Sequence, residues 1–311
     1  MLQKNCYLLF GGFIMIFTHV FSIPRMKFFQ KIIAVSSNIP QEYFNNISKL
    51  IIAKDIVGYI FLIFTLTYIV IYDIQTLISV TYLHVSLVVF LADTQYINCV
   101  YVIEMCFKKI NETLKNLKFT MMTKEPHLLR RTYHEQHNSL LLIEINKLQK
   151  EHHEVSDILK MLNSTYGLHV VASITMMFTE ITFRLYFYIL KLLRNNAEEI
   201  FELHFYIAMF YYVLKLTFIV RICENAKIQA QKIGNTVHDV LLSTHDVKIK
   251  EELYLFSLQL LHRNNVFCAR GLVINFSLLN EITGAITMYL LILIQFHMST
   301  PLVISNVEDK Q

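Results

Sequence analysis

Four ionisable side chains, Asp93, Glu180, Arg184 and Lys215, interrupt stretches that are otherwise apolar enough for lipid. A charge at mid-bilayer costs roughly 3 kcal/mol or more, so such groups usually pair with one another or face water. Glu180 and Arg184 stand one helical turn apart and can pair along one helix, while Asp93 and Lys215 can pair between helices. Two roles fit them: pairs that lock a bundle, or, with Tyr186, Tyr206 and Tyr211, the lining of a small-molecule pocket in which a few polar groups fix orientation. A further polar group, Gln295, lies near the end of the apolar run "ITMYLLILIQF" (Ile286 to Phe296).

Histidine invites a different chemistry. "HEQH" (His134, His137) and "EHHE" (His152, His153) occupy one polar segment, where a di-iron hydroxylase or desaturase would carry ligands. That chemistry needs several His clusters converging on two metals, and the remaining His are isolated, so solvated helix histidines are the better reading. There is no GxSxG, no HExxH and no phosphate-cradling glycine loop, so neither an enzyme nor a cofactor is expected. The five cysteines are scattered without CxxC spacing and read as reduced, buried thiols.

The elements that must position these groups follow from composition. Hydrophobic residues make up 54% of the 311 positions and charged ones 17%, the balance of a membrane protein. A net charge of +4 gives no argument for nucleic acid. The expected fold is all-α and polytopic, with six transmembrane helices at Cys6 to Ile23, Ile56 to Ile74, Leu83 to Phe107, Tyr166 to Leu190, Leu203 to Ile222 and Leu272 to Phe296. Residues 1–107 then form three spans with loop 24–55 between them, and 108–165 form cytosolic amphipathic helices. Residues 166–222 form two spans, 223–271 cytosolic helices, 272–296 the last span, and 297–311 an extracellular tail.

Loops 24–55, 108–165 and 223–271 share one side and hold most of the Lys and Arg, which marks that side as cytoplasmic and puts both termini outside. In the second loop Leu141, Ile145, Leu148, Val155, Ile158, Leu159 and Leu162 recur at helical spacing, and in the third Leu253, Phe256, Leu260 and Leu261 share a face. Such faces pack on one another or lie on the lipid surface. The sequons at Asn46, Asn111 and Asn163 fall on the cytoplasmic side, and Asn275 falls at the edge of the last span, so none suits glycosylation. The four prolines lie outside the spans, unlike those of a transporter with broken helices, and an even number of spans does not suit a G-protein-coupled receptor.

"CARGLVINFSLLNEITGAITMYLLILIQF" (Cys268 to Phe296) resembles the carboxy-terminal signature of insect gustatory receptors, in the insect chemoreceptor superfamily. The family ends its last helix with Thr-Tyr, five hydrophobics and Gln-Phe. Here Tyr289, Leu290 to Ile294, Gln295 and Phe296 keep that spacing, while Met288 stands in place of the threonine. "STYGLHVV" (Ser164 to Val171) and "RICENAKIQAQKIGNTVHDVLL" resemble the start of the family's fifth helix and the segment after its sixth. Counted back from the end, the six spans correspond to the family's helices two through seven.

The resemblance implies a ligand-gated, non-selective cation channel of the plasma membrane that detects small-molecule tastants. It implies a homo- or hetero-tetramer with other gustatory receptors, a central pore lined by the last helix, a cytosolic anchor of helices, and a ligand pocket among the outer halves of the helices. At about 100° per residue, Gly284, Met288, Leu291 and Gln295 form one stripe with Ile292 and Phe296 on its flank. In a tetramer Ile292 and Phe296 would be gate rings and Gln295 a polar ring. Otherwise the Gln295 amide bonds a neighbouring helix.

Overall fold

The computed structural model describes residues 2–37, 39–72, 76–123, 131–193, 199–244 and 246–308. Eight helices are described: α1 (Leu2–Val20), α2 (Ser22–Ser36), α3 (Gln41–Tyr72), α4 (Thr76–Thr123), α5 (Arg131–Leu193), α6 (Glu199–Ser243), α7 (Val247–His262) and α8 (Phe276–Glu308). A two-stranded hairpin, β1 (Cys268–Ala269) and β2 (Leu272–Val273), joins α7 to α8.

Helix α5 has 63 residues and α4 has 48, so at 1.5 Å per residue they run about 95 and 72 Å, two to three times the ~30 Å hydrocarbon core. Residues 108–123 and 131–165 are the continuing ends of α4 and α5, the latter running unbroken into the expected fourth span, and α6 likewise runs on past Ile222 to Ser243. Loop 24–55 is also largely helical, holding α2 and the first part of α3. Among the described residues α4, α5, α6 and α8, with α1 and α2 as one bent pair, are long and apolar enough to cross a membrane. The expected span Ile56 to Ile74 falls on α3, and its last two residues lie outside the described ones.

Helix α1 ends at Val20, inside the expected span Cys6 to Ile23, and meets α2 at a 65° elbow. Pro24 has no N–H to donate to the Val20 carbonyl and its ring crowds it, so the rod breaks there; Arg25 N resumes the ladder on Phe21 O at 2.9 Å. The last span starts at Phe276, not Leu272, since Leu272 and Val273 are strand. Its helix continues to Glu308 where a tail was expected.

The core is a helical seam. Val100, Phe107, Ile110 and Leu114 on α4 meet Cys223, Ala226, Ile233 and Val237 on α6, and the three- and four-residue steps keep each row on one face. The α5 row foreseen by periodicity, Leu141 through Leu162, is buried throughout. Helix α7 closes this layer with Ile249, Leu253 and Phe256, its first turn capped by Asp246, which accepts from Lys248 N and Ile249 N at 2.8 and 3.2 Å. Leu261, expected on that face, is instead 80% exposed.

The hairpin turns in two residues, Arg270 at φ 51 and Gly271 at φ 94, the left-handed pair that such a turn requires. Asn163 of α5 clamps it. Its amide nitrogen donates to Val266 O at 2.9 Å and its oxygen accepts from Cys268 N at 3.2 Å. Asn111 is buried and accepts from the Thr236 hydroxyl, so both sequon asparagines serve packing.

Candidate ligand cavity and pore face

Asp93 sits where α4, α5 and α6 meet, 3% exposed. One carboxylate oxygen faces His169 Nε2 at 2.9 Å; the other accepts from the Ser173 hydroxyl at 3.0 Å and from the Lys215 ammonium. The interhelical Asp93–Lys215 pair is thus present. His169 and Ser173 were missed by sequence reasoning, yet their one-turn spacing on an otherwise apolar stretch was the available signal.

Glu180 and Arg184 pair along α5 at 3.2 Å, and Gln3 of α1 donates to the same Glu180 oxygen at 3.0 Å. The Arg184 guanidinium lies 5.6 Å from the centre of the Tyr212 ring. Ser173 and Glu180 are two turns apart, about 10 Å along α5, so the two charged knots occupy different depths. The six residues expected to share one pocket therefore divide three ways. Asp93 and Tyr211 line a cavity, Glu180 and Arg184 form a buried pair, and Tyr186 and Tyr206 lie elsewhere, Tyr186 against His297 and Tyr206 bonded through its hydroxyl to Tyr188 at 2.9 Å.

The cavity, about 240 Å³, lies between α3, α4 and α6. Gly58 admits one of its walls: a Cβ there would overlap the Phe90 ring. Val57, Phe90, Leu214 and Phe218 make it apolar, and Lys54, Asp93 and Lys215 give it one polar end. Lys54 reaches Asn98 Oδ1 at 3.1 Å and Asp55 at 2.8 Å.

Helix α8 is different in kind. Leu278 and Ile282 are buried, but Gly284, Met288, Leu291 and Gln295 are all exposed, along with Phe296 at 71%. Ile292 is half-buried on the flank of that stripe. Tyr289 touches Phe178 of α5 at 5.8 Å between ring centres.

Where α4 and α5 meet α7, His152 is fully buried between Phe107 and Phe256, with Gln259 and Asn265 at its two ring nitrogens. Burial, with the Arg263 charge behind it, pulls its pKa down from 6.5 to about 4, so it is neutral at pH 7. Arg263 binds Asp157 at 2.5 Å and His153 at 2.8 Å, and holds the Asp157 carboxyl below its usual range. His152 and His153 are thus docking groups between α5 and the α7 end, while the side chains of His134 and His137 lie outside the described residues. Among the described residues no three His, Cys, Asp or Glu are grouped to hold a metal.

The fold is that of the insect olfactory receptor OR5 of Machilis hrabei. The structure of that receptor with eugenol superposes with a TM-score of 0.69 at 11% identity, over 95% of this chain and 82% of that one. A second structure of that receptor gives a TM-score of 0.65 at 12% identity, over 94% of this chain and 80% of that one. Two Drosophila melanogaster sequences designated gustatory receptor 28b and 28a are 27% and 28% identical over 223 and 158 residues, or 65% and 49% of this chain. Those matches cover 47% and 35% of the relatives, so the chain spans less than half the length of each. The family description "7tm Chemosensory receptor" matches residues 6–300, nearly the whole chain, and the protein belongs to that family of membrane receptors.

Proposed function

We propose that the chain is a subunit of a ligand-gated, non-selective cation channel of the plasma membrane, built as a tetramer with itself or with other gustatory receptors and opened by small-molecule tastants. The observation that carries this reading is the uncovered stripe of α8. A membrane helix that buries Leu278 and Ile282 against its own subunit and leaves Gly284, Met288, Leu291 and Gln295 bare presents a face for a central axis. Four copies would give an amide ring at Gln295 beside apolar rings at Leu291, Ile292 and Phe296, and an apolar constriction closes a pore by dewetting. The cavity between α3, α4 and α6 supplies a place for the ligand, since it has apolar walls with a few polar groups at one end. The chemoreceptor fold, seen in a receptor solved with the small molecule eugenol, agrees with a ligand held among the helices.

The test is electrical. Cells expressing the chain, alone and with other gustatory receptors, are challenged with a tastant panel while cation current is recorded. Gln295→Ala alters conductance or ion preference without abolishing surface expression. Unchanged permeation in Gln295→Ala would remove the pore assignment.

A further inference from the structure

Arg25 departs from the pairing that the other enclosed cations keep. Arg184, Lys215 and Lys54 each meet a carboxylate, whereas Arg25, 5% exposed on α2, pairs with none among the described residues. Its Nε, Nη1 and Nη2 are all enclosed, and none has a hydrogen-bond partner. The guanidinium lies over the Tyr166 ring of α5, 4.5 Å from its centre, and the hydroxyl of that fully buried tyrosine is likewise unpartnered. Phe28 of α2 and Tyr96 of α4 pack around the same ring, at 6.0 and 5.9 Å between centres. Five N–H donors and one O–H are thus buried together without an acceptor. The ring face attracts the charge, but that contact leaves the N–H groups unmatched. Arginine keeps its proton inside proteins, so the charge cannot be relieved by neutralisation.

We infer that Arg25 and Tyr166 form a binding site for a single halide-sized anion, chloride in a cell, held between α2 and α5 just past the Pro24 elbow. Buried charges are paired because an isolated one is far costlier than an unmatched neutral dipole. A water molecule could accept two of the hydrogen bonds, yet it would leave the cation uncompensated. A phospholipid head or a fatty carboxylate needs an open mouth for its chain, and both side chains here are sealed. A divalent oxyanion would bring a second charge that one guanidinium does not match. The anion would fasten α2 to α5 through charge-assisted hydrogen bonds. This place is separate from the α3–α4–α6 cavity, so the site stands whether or not that cavity takes tastants.

The experiment reads stability and binding together. The full chain in phosphatidylcholine nanodiscs is unfolded thermally in sodium chloride, bromide and gluconate at equal ionic strength, and radiolabelled chloride is bound at equilibrium. Chloride and bromide raise the midpoint saturably, by roughly 2–4 °C at about ten times the dissociation constant, while gluconate, too large to be enclosed, does not. Arg25→Gln removes both the shift and the bound chloride. Tyr166→Phe keeps the cation and weakens chloride roughly tenfold, the loss of one hydrogen bond to a charged acceptor, and it carries the test where Arg25→Gln does not fold.

A midpoint indifferent to halide, with no chloride bound, overturns the inference and leaves the guanidinium to ordered water. A halide shift that persists undiminished in both variants overturns it as well. So does a midpoint that responds to phosphatidylglycerol in the bilayer and not to chloride, because the partner is then a lipid head.

Discussion

The Asp93 knot and the bare face of α8 handle buried cost in opposite ways. At Asp93 three donors from two neighbouring helices converge on one carboxylate, and α4, α5 and α6 cannot slide past one another without uncovering a charge. Along α8 the Gln295 side chain is exposed within the candidate span Phe276–Ser299, while its backbone carbonyl accepts from the Ser299 hydroxyl. Where polar groups are served inside the subunit they lock it. Where one is exposed, as at Gln295, it ties no two helices of the subunit together among the described residues.

The comparison breaks first at Asp93. Asp93→Ala strands the Lys215 ammonium and costs about 3–5 kcal/mol, read as lost surface expression and a lower unfolding midpoint; removing both charges together costs much less. A result in which the single and double variants are equally stable would show that the knot does not lock the bundle.

Acid probes the α7 end of the same packed region. The His152 pKa is depressed from 6.5 to about 4, so between those values the unfolded chain binds a proton that the folded one refuses. Stability is thus full above pH 6.5 and falls as pH drops toward 4, by up to ~3 kcal/mol, and His152→Gln flattens that slope. Denaturation midpoints across this range decide the point.

Smaller again is Asn163→Ala, which frees the hairpin's Val266 carbonyl and Cys268 amide and costs about 1–3 kcal/mol. Faster hydrogen exchange at residues 266–273 would report it. The smallest effect on stability, within ~0.5 kcal/mol for the subunit, belongs to Gln295→Ala on the exposed stripe, yet that change should alter permeation the most. A large loss of subunit stability there would mean that the amide bonds within the chain.

Much of the packed region was readable in advance. The α5 row from Leu141 to Leu162 followed from 3.6-residue periodicity, because one face of that helix is apolar and the other charged. Partners across helices were harder. Asp93 and Lys215 announced themselves as charges in lipid-like segments, but His169 and Ser173 are weakly polar, and only three-dimensional proximity brings them to the carboxylate. The residues expected in one pocket are spread for the same reason: Tyr211 lines the α3–α4–α6 cavity, while Tyr186 lies against His297 and Tyr206 against Tyr188. Boundaries were displaced where a single backbone feature overrode apolar composition, at Pro24 and at the Arg270–Gly271 turn.

That turn has a mechanical consequence. With only two residues between its strands and both ends of the Asn163 amide fastened to it, the foot of α8 is a fixed fulcrum on α5. A displacement of the far end of α8 is then a swing about this point, with little translation along its axis. The lever arm from Phe276 to Gln295 is about 28 Å, so a tilt of a few degrees at the hairpin moves the Gln295 amide by more than an ångström.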